Sequence, residues 1–154
     1  MYWKRKRVLE IFSKWQINPR SIITWMEKEV IIPAKESADI GGVREYNFKN
    51  LIQIGILAEL LYYGVPVKKM KYILNHHNVK TKLDAAEKSG DYDFIIYFRR
   101  QIGFWPDKTD RSYQVAQVGV ECFETKDFKP DPSKYASGLN IHIADIWTSI
   151  KESL

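Results

Sequence analysis

Apolar residues recur at helical spacing through the first half of the chain. Val8, Leu9, Ile11, Phe12 and Trp15 fall mostly on one side of a short helix. Gln16-Ile17-Asn18 breaks that pattern. Asn18-Pro19 then reads as a helix start, since asparagine caps and proline loses no donor at the first helical position. The helix runs from Pro19 to about Lys28, turns Ile22, Trp25 and Met26 inward, and leaves Arg20, Ser21, Thr24 and Lys28 largely on the other side. Val30-Ile31-Ile32, stopped by Pro33, reads as a short strand, and the polar, glycine-ended stretch 34–43 as a hairpin or wing. Asn47 caps a helix from about Phe48 to Tyr62, with Leu51, Ile54, Leu57, Ala58 and Leu61 as its buried stripe, and Gly64 ends it. Pro66 opens a further helix, Val67 to Asn75, burying Val67, Met70, Ile73 and Leu74.

After Asn78 the period changes. Thr81 to Ser89 reads as a short helix or a linker ending at Ser89-Gly90. Phe94, Ile96 and Phe98 alternate with Ile95, Tyr97 and Arg99, and Ala116, Val118, Val120 and Cys122 form a second alternation, so both are strands. A turn-rich aromatic loop, Gly103 to Lys108, lies between them. Residues 124–138 hold Pro130 and Pro132 and read as surface loop. Leu139-Asn140-Ile141 is a last strand. Ile143, Ile146, Trp147, Ile150 and Leu154 then make an amphipathic C-terminal helix. Two units result, 1–78 and 79–154.

Composition sharpens this picture. With 45% hydrophobic and 14% aromatic residues in 154, the chain can bury a core. Its longest apolar stretch, Ile54 to Val67, is interrupted by glycine, glutamate and tyrosine and is unsuited to a membrane. Met1 to Arg7 is basic but lacks the apolar run of a secretion signal. The single cysteine, Cys122, rules out an internal disulfide and a multi-cysteine metal site, and fits a reducing cytoplasm. Charge is uneven: residues 1–78 carry 13 Lys/Arg against 7 Asp/Glu, residues 79–154 carry 11 against 12. A basic first half fits a polyanion-binding head.

The most pointed chemistry is Gly41-Gly42-Val43-Arg44-Glu45-Tyr46. Paired glycines permit a tight turn, and an arginine fork beside a tyrosine hydroxyl suits phosphate oxygens. Ser21-Ile22-Ile23-Thr24-Trp25, Val30-Ile31-Ile32-Pro33, Gly42-Val43-Arg44-Glu45-Tyr46 and Leu61-Tyr62-Tyr63-Gly64-Val65-Pro66-Val67 together resemble, in order and spacing, the DNA-binding domain of MerR-type transcriptional regulators. The resemblance covers roughly Val8 to Leu74, about half of the chain. It implies an N-terminal winged helix-turn-helix bundle; with the strands and C-terminal helix read from the second half, the expected chain is α+β, the bundle followed by a small antiparallel β-sheet unit and a C-terminal helix.

The resemblance further implies that Arg20, Ser21 and Thr24 meet base edges in the major groove, with Asn18 at the helix mouth as a further DNA contact. Arg44 and Tyr46 would clamp phosphates from the wing, while Lys28, Lys49 and the Lys4 to Arg7 cluster would add sequence-independent attraction. The partners it implies are double-stranded DNA bearing a pseudo-palindromic promoter site, a second copy of the chain in a homodimer, and RNA polymerase. It places the protein in the cytoplasm with the nucleoid; the interrupted apolar stretches and the single cysteine add the expectation of no membrane partner, metal or cofactor. Departures from the family pattern are Ile23 for a basic residue, Thr24 for an aromatic, and Glu29 for a helix-ending glycine.

The second half is less telling. Its aromatics, Tyr92, Phe94, Tyr97, Phe98, Phe104, Trp105, Tyr113 and Phe123, either line a ligand pocket or form the core of a small β unit. Cys122 reads as a small buried residue, and adjacent His76 and His77 diverge too far for a thiol–metal sensor. No nucleophile triad, phosphate loop or metal-ligand spacing supports an enzyme. The rival is a helix-turn-helix adaptor that mainly binds another protein, which Ile23, Glu29 and the lack of a clear dimer helix in Lys80 to Ser89 favour. A small excisionase-like architectural protein fits less well, because such chains generally lack an added β unit.

Overall fold

The computed structural model describes residues 1–15, 17–36, 43–100, 118–129 and 138–154. Their elements run β1 (Trp3–Lys4), α1 (Arg5–Phe12) with a 3₁₀ turn (Ser13–Trp15), α2 (Pro19–Glu27), β2 (Lys35–Glu36), β3 (Arg44–Tyr46), α3 (Phe48–Tyr62), α4 (Val67–Asn75), α5 (His77–Ser89), β4 (Phe94–Arg100), β5 (Val118–Glu124), a second 3₁₀ turn (Thr125–Asp127), β6 (Gly138–His142) and α6 (Ile143–Ser153). Two small antiparallel sheets form, in the orders β1-β3-β2 and β5-β4-β6. The class is therefore mixed α+β.

Helix α3 organises the core. Asn47 and Asn50 close its first turn reciprocally: Asn50 N–H donates to Asn47 Oδ1 at 3.0 Å, and Asn47 N–H to Asn50 Oδ1 at 3.1 Å. Gly64 ends it at φ +73°, a conformation glycine adopts without a Cβ penalty. The sequence suggests one buried stripe, but Ile52, Ile56 and Leu60 are buried as well as Leu51, Ile54 and Leu57, while Ala58 is half-buried and Leu61 exposed. The cause is packing on several sides, by β3, α4, α5 and α6. Gly55 marks a close approach of α3 to α6. A Cβ there would lie 2.4 Å from Ile146 Cγ2 of α6.

Other departures have local reasons. Val30-Ile31 is not a strand but the tail of α2's C-terminal turn. Val30 N–H donates to Trp25 O at 2.8 Å and Glu29 N–H to Met26 O at 3.3 Å, with Glu29 at φ +52°. Their apolarity serves the core, where Val30 and Ile31 are buried. Helix α1 begins at Arg5 rather than Val8, so Arg5 to Arg7 are helical. Arg7 pairs with Glu10 at 3.2 Å and donates to Leu154 O at 3.1 Å.

Helix α5 starts at His77, so residue 78, where the sequence period changes, lies in its first turn. One set of buried side chains joins both sides of that point, from Phe12, Ile52 and Leu57 to Phe94, Ile96, Ile141 and Ile150. An aromatic run follows the same path. Phe48 meets Trp3 at 6.4 Å and Tyr92 at 5.6 Å, and Tyr92 stacks on Trp147 at 6.4 Å and 22°. Helix α6 buries Ile143, Ile146 and Ile150 against α3 and β4, while Leu154 is exposed. Gly41-Gly42, the loop 103–108, Ala116 and both prolines of the 124–138 stretch lie outside the described residues.

Candidate nucleic-acid interface

Helix α2 forms where capping and periodicity agree. Asn18 Oδ1 accepts the Arg20 N–H at 2.9 Å, Pro19 follows in the first turn, and Ile22, Trp25 and Met26 are buried. The polar face is thereby turned outward: Arg20 and Lys28 are exposed, and Ser21, Ile23 and Thr24 half-buried. Glu27 and Glu29 are exposed at the same C-terminal end as Lys28. Asn18 is itself exposed, but its carbonyl oxygen is already used in capping.

The hairpin residues separate into different environments. Arg44 is partly exposed and pairs across β2–β3 with Glu36 at 2.7 Å. That hydrogen bond, more than any other influence, raises the guanidinium pKa above its ordinary value. Lys35 stands 4.0 Å above the Tyr2 ring. Tyr46, expected on phosphates, is fully buried, because β3 lies between β1 and β2 and turns that side chain into the core. Among the described residues its buried hydroxyl has no hydrogen-bond partner, and burial pushes its pKa up. Lys49 also departs from expectation. It is an α3 residue whose ammonium pairs with Asp84 and, at 3.6 Å, with Glu87, both on α5. As folded, neither Tyr46 nor Lys49 presents a free polar group to a phosphate.

Helix α4 supplies basic groups that the sequence reading passed over. Burial of Met70, Ile73 and Leu74 puts Lys68, Lys69, Lys71 and Tyr72 outside. Lys71 Nζ donates to Lys28 O at 3.5 Å, which ties this face to the end of α2. Lys28, Lys68, Lys71 and Tyr72 share a groove of about 400 Å³ with Val30, Val67 and Asn75, without a carboxylate among those lining residues. The signal was legible in Lys68-Lys69-Met70-Lys71, where a helix that buries its methionine must project three lysines.

In the second half, Tyr92, Phe94, Tyr97 and Phe98 are buried, and Phe104, Trp105 and Tyr113 lie outside the described residues. Phe123 is half-buried, with its ring centroid 6.5 Å from that of Tyr97 and 5.7 Å from that of Phe128. Cys122 is half-buried, and burial raises its thiol to about 11. Among the described residues no three His, Cys, Asp or Glu are placed to hold a metal, and no helix is long and apolar enough to cross a membrane. No protein-family model matches the chain, and no curated protein matches it.

Proposed function

We propose that the protein is a sequence-specific, double-stranded DNA-binding transcriptional regulator of MerR type. In this reading α2 enters the major groove, with Arg20, Ser21 and Thr24 facing base edges. Arg44 in the β2–β3 hairpin meets phosphate after exchanging Glu36 for it. The observation that carries the reading is the continuity of α2 with the lysine face of α4. A capped helix with a polar outer face adjoins a carboxylate-free groove holding Lys28, Lys68 and Lys71. Such a surface attracts a polyanion whatever its sequence, while the short polar groups of α2 supply discrimination. Reading a pseudo-palindromic promoter site calls for a homodimer, and acting on transcription calls for RNA polymerase as a further partner.

A second reading is an adaptor that uses the same helices mainly to bind another protein. Glu27 and Glu29, exposed beside Lys28, favour it, since they would repel DNA.

Selection of random duplex DNA by the purified protein, followed by salt titration, tests the proposal. The expected result is an enriched inverted repeat whose binding falls steeply with salt, and whose base preference relaxes in Arg20→Ala. Weak binding without enrichment would replace it with the adaptor reading.

A further inference from the structure

A groove of about 550 Å³ lies away from α2 and α4, between the 3₁₀ turn after α1, α3, β6 and α6. Trp15 and the exposed Tyr63 give it apolar surface, above a buried floor of Ile141 and Ile146. Its charged lining residues are Glu59, Asp145 and Glu152 against Lys14. In a chain of net charge +5, this is a locally acidic depression.

Its second feature is backbone. Asn140, Ile141 and His142 all line it, although consecutive strand residues point to opposite faces of a sheet. What three such residues share on one side is the strand edge. Among the described residues β6 pairs only with β4, which leaves its other edge to this groove. An unpaired edge offers a row of N–H and C=O groups to an incoming strand.

We infer that this groove takes an extended, lysine- or arginine-bearing segment of a partner protein, laid along β6 as an added strand. Main-chain pairing would supply register, Trp15 and Tyr63 would cover alternate apolar side chains, and Glu59, Asp145 and Glu152 would select cationic ones. Charge decides against the other candidate for a free edge, a second copy of this chain. Pairing β6 with its twin would bring two acidic rims together and provide no cation in excess. The inference does not rest on DNA binding and would hold for a regulator or an adaptor.

The test uses a short alternating lysine–valine peptide, its glutamate–valine counterpart, and the full chain. Fluorescence anisotropy reads binding, and amide hydrogen exchange reads β6. The expected result is saturable binding of the lysine peptide alone, with slowed exchange at Asn140 to His142. Affinity should fall by about tenfold in the triple variant Glu59→Gln, Asp145→Asn, Glu152→Gln, whose circular dichroism should match the parent. No saturable binding, equal binding by the triple variant, or binding that leaves β6 exchange unchanged would overturn the proposal. Protection of β6 that grows with protein concentration, without peptide, would overturn it in favour of a second copy.

Discussion

Gly55→Ala tests whether the two halves of the chain share one core. Gly55 belongs to α3 and Ile146 to α6, and an added Cβ would sit 2.4 Å from Ile146 Cγ2. Carbon atoms rest at about 3.5–4.0 Å, so the helices would have to part by roughly 1 Å. Simple rotation gives little relief, because Ile146 Cβ lies 3.6 Å and Trp15 Cη2 3.4 Å from the same point. Overpacking costs about 1–3 kcal/mol, and so close an approach belongs in the upper part of that range. Against it, alanine is favoured over glycine within a helix by about 1 kcal/mol. The net expectation is a loss of about 1–2 kcal/mol. In urea titrations followed by both tryptophan fluorescence and circular dichroism, the midpoint should drop while the slope stays constant. Combining Gly55→Ala with Ile146→Ala should show a favourable coupling of about 1 kcal/mol or more, since the new methyl fills part of the cavity. A Gly55→Ala protein more stable than its parent would refute this packing, because only helix propensity would then be acting.

Further expectations concern single side chains. Glu29→Gly should stabilise the protein by about 0.5–1 kcal/mol in the same titrations, since a left-handed non-glycine residue costs about 1–2 kcal/mol and glycine's extra unfolded-state freedom returns only part of that; a loss of stability would remove the φ of +52° as a source of strain. Lys49→Met should cost about 1 kcal/mol and leave the salt dependence of the proposed DNA binding unaltered, because the ammonium is engaged by Asp84 and Glu87. A slope reduced by about 0.9 would instead restore Lys49 as a phosphate contact. Burial raises Tyr92 from 10.0 to about 12, favouring the neutral phenol in the fold, so its contribution is present below pH 10 and is lost as pH rises towards 12. Tyr92→Phe should flatten that alkaline decline, and an unchanged profile would assign it to other groups.

The elements most legible in the sequence are those where capping and periodicity agree. Asn18-Pro19 and Asn47 marked the starts of α2 and α3, Pro66 that of α4, and the alternations at Phe94 and Val118 the two long strands. What escaped depends on contacts distant in sequence. Two residues, Trp3–Lys4, form a strand only because β3 lies ready beside them. Val30-Ile31 has the composition of a strand, but the end of α2 takes its hydrogen bonds. The candidate interface was legible to the same degree. Periodicity placed Arg20 and Lys28 outside. The surroundings of Tyr46 and Lys49 were not legible, because they come from β1, whose pairing has no signal in the sequence, and from α5, which could equally be read as a linker. Lys68, Lys69 and Lys71 needed no structure, only the burial of Met70 taken to its consequence.

The anchoring of α2 also bears on how freely its outer surface can be rewritten. The cap at Asn18 and the buried Ile22, Trp25 and Met26 hold the helix in place, and none of the exposed residues Arg20, Glu27 and Lys28 contributes a side chain to the core. The surface proposed for recognition and the side chains that hold the fold are thus separate sets of residues. A library randomised at those exposed positions should consist mostly of folded proteins, each within about 0.5 kcal/mol of the parent. Helix α3, with nearly every face occupied, offers no comparable latitude.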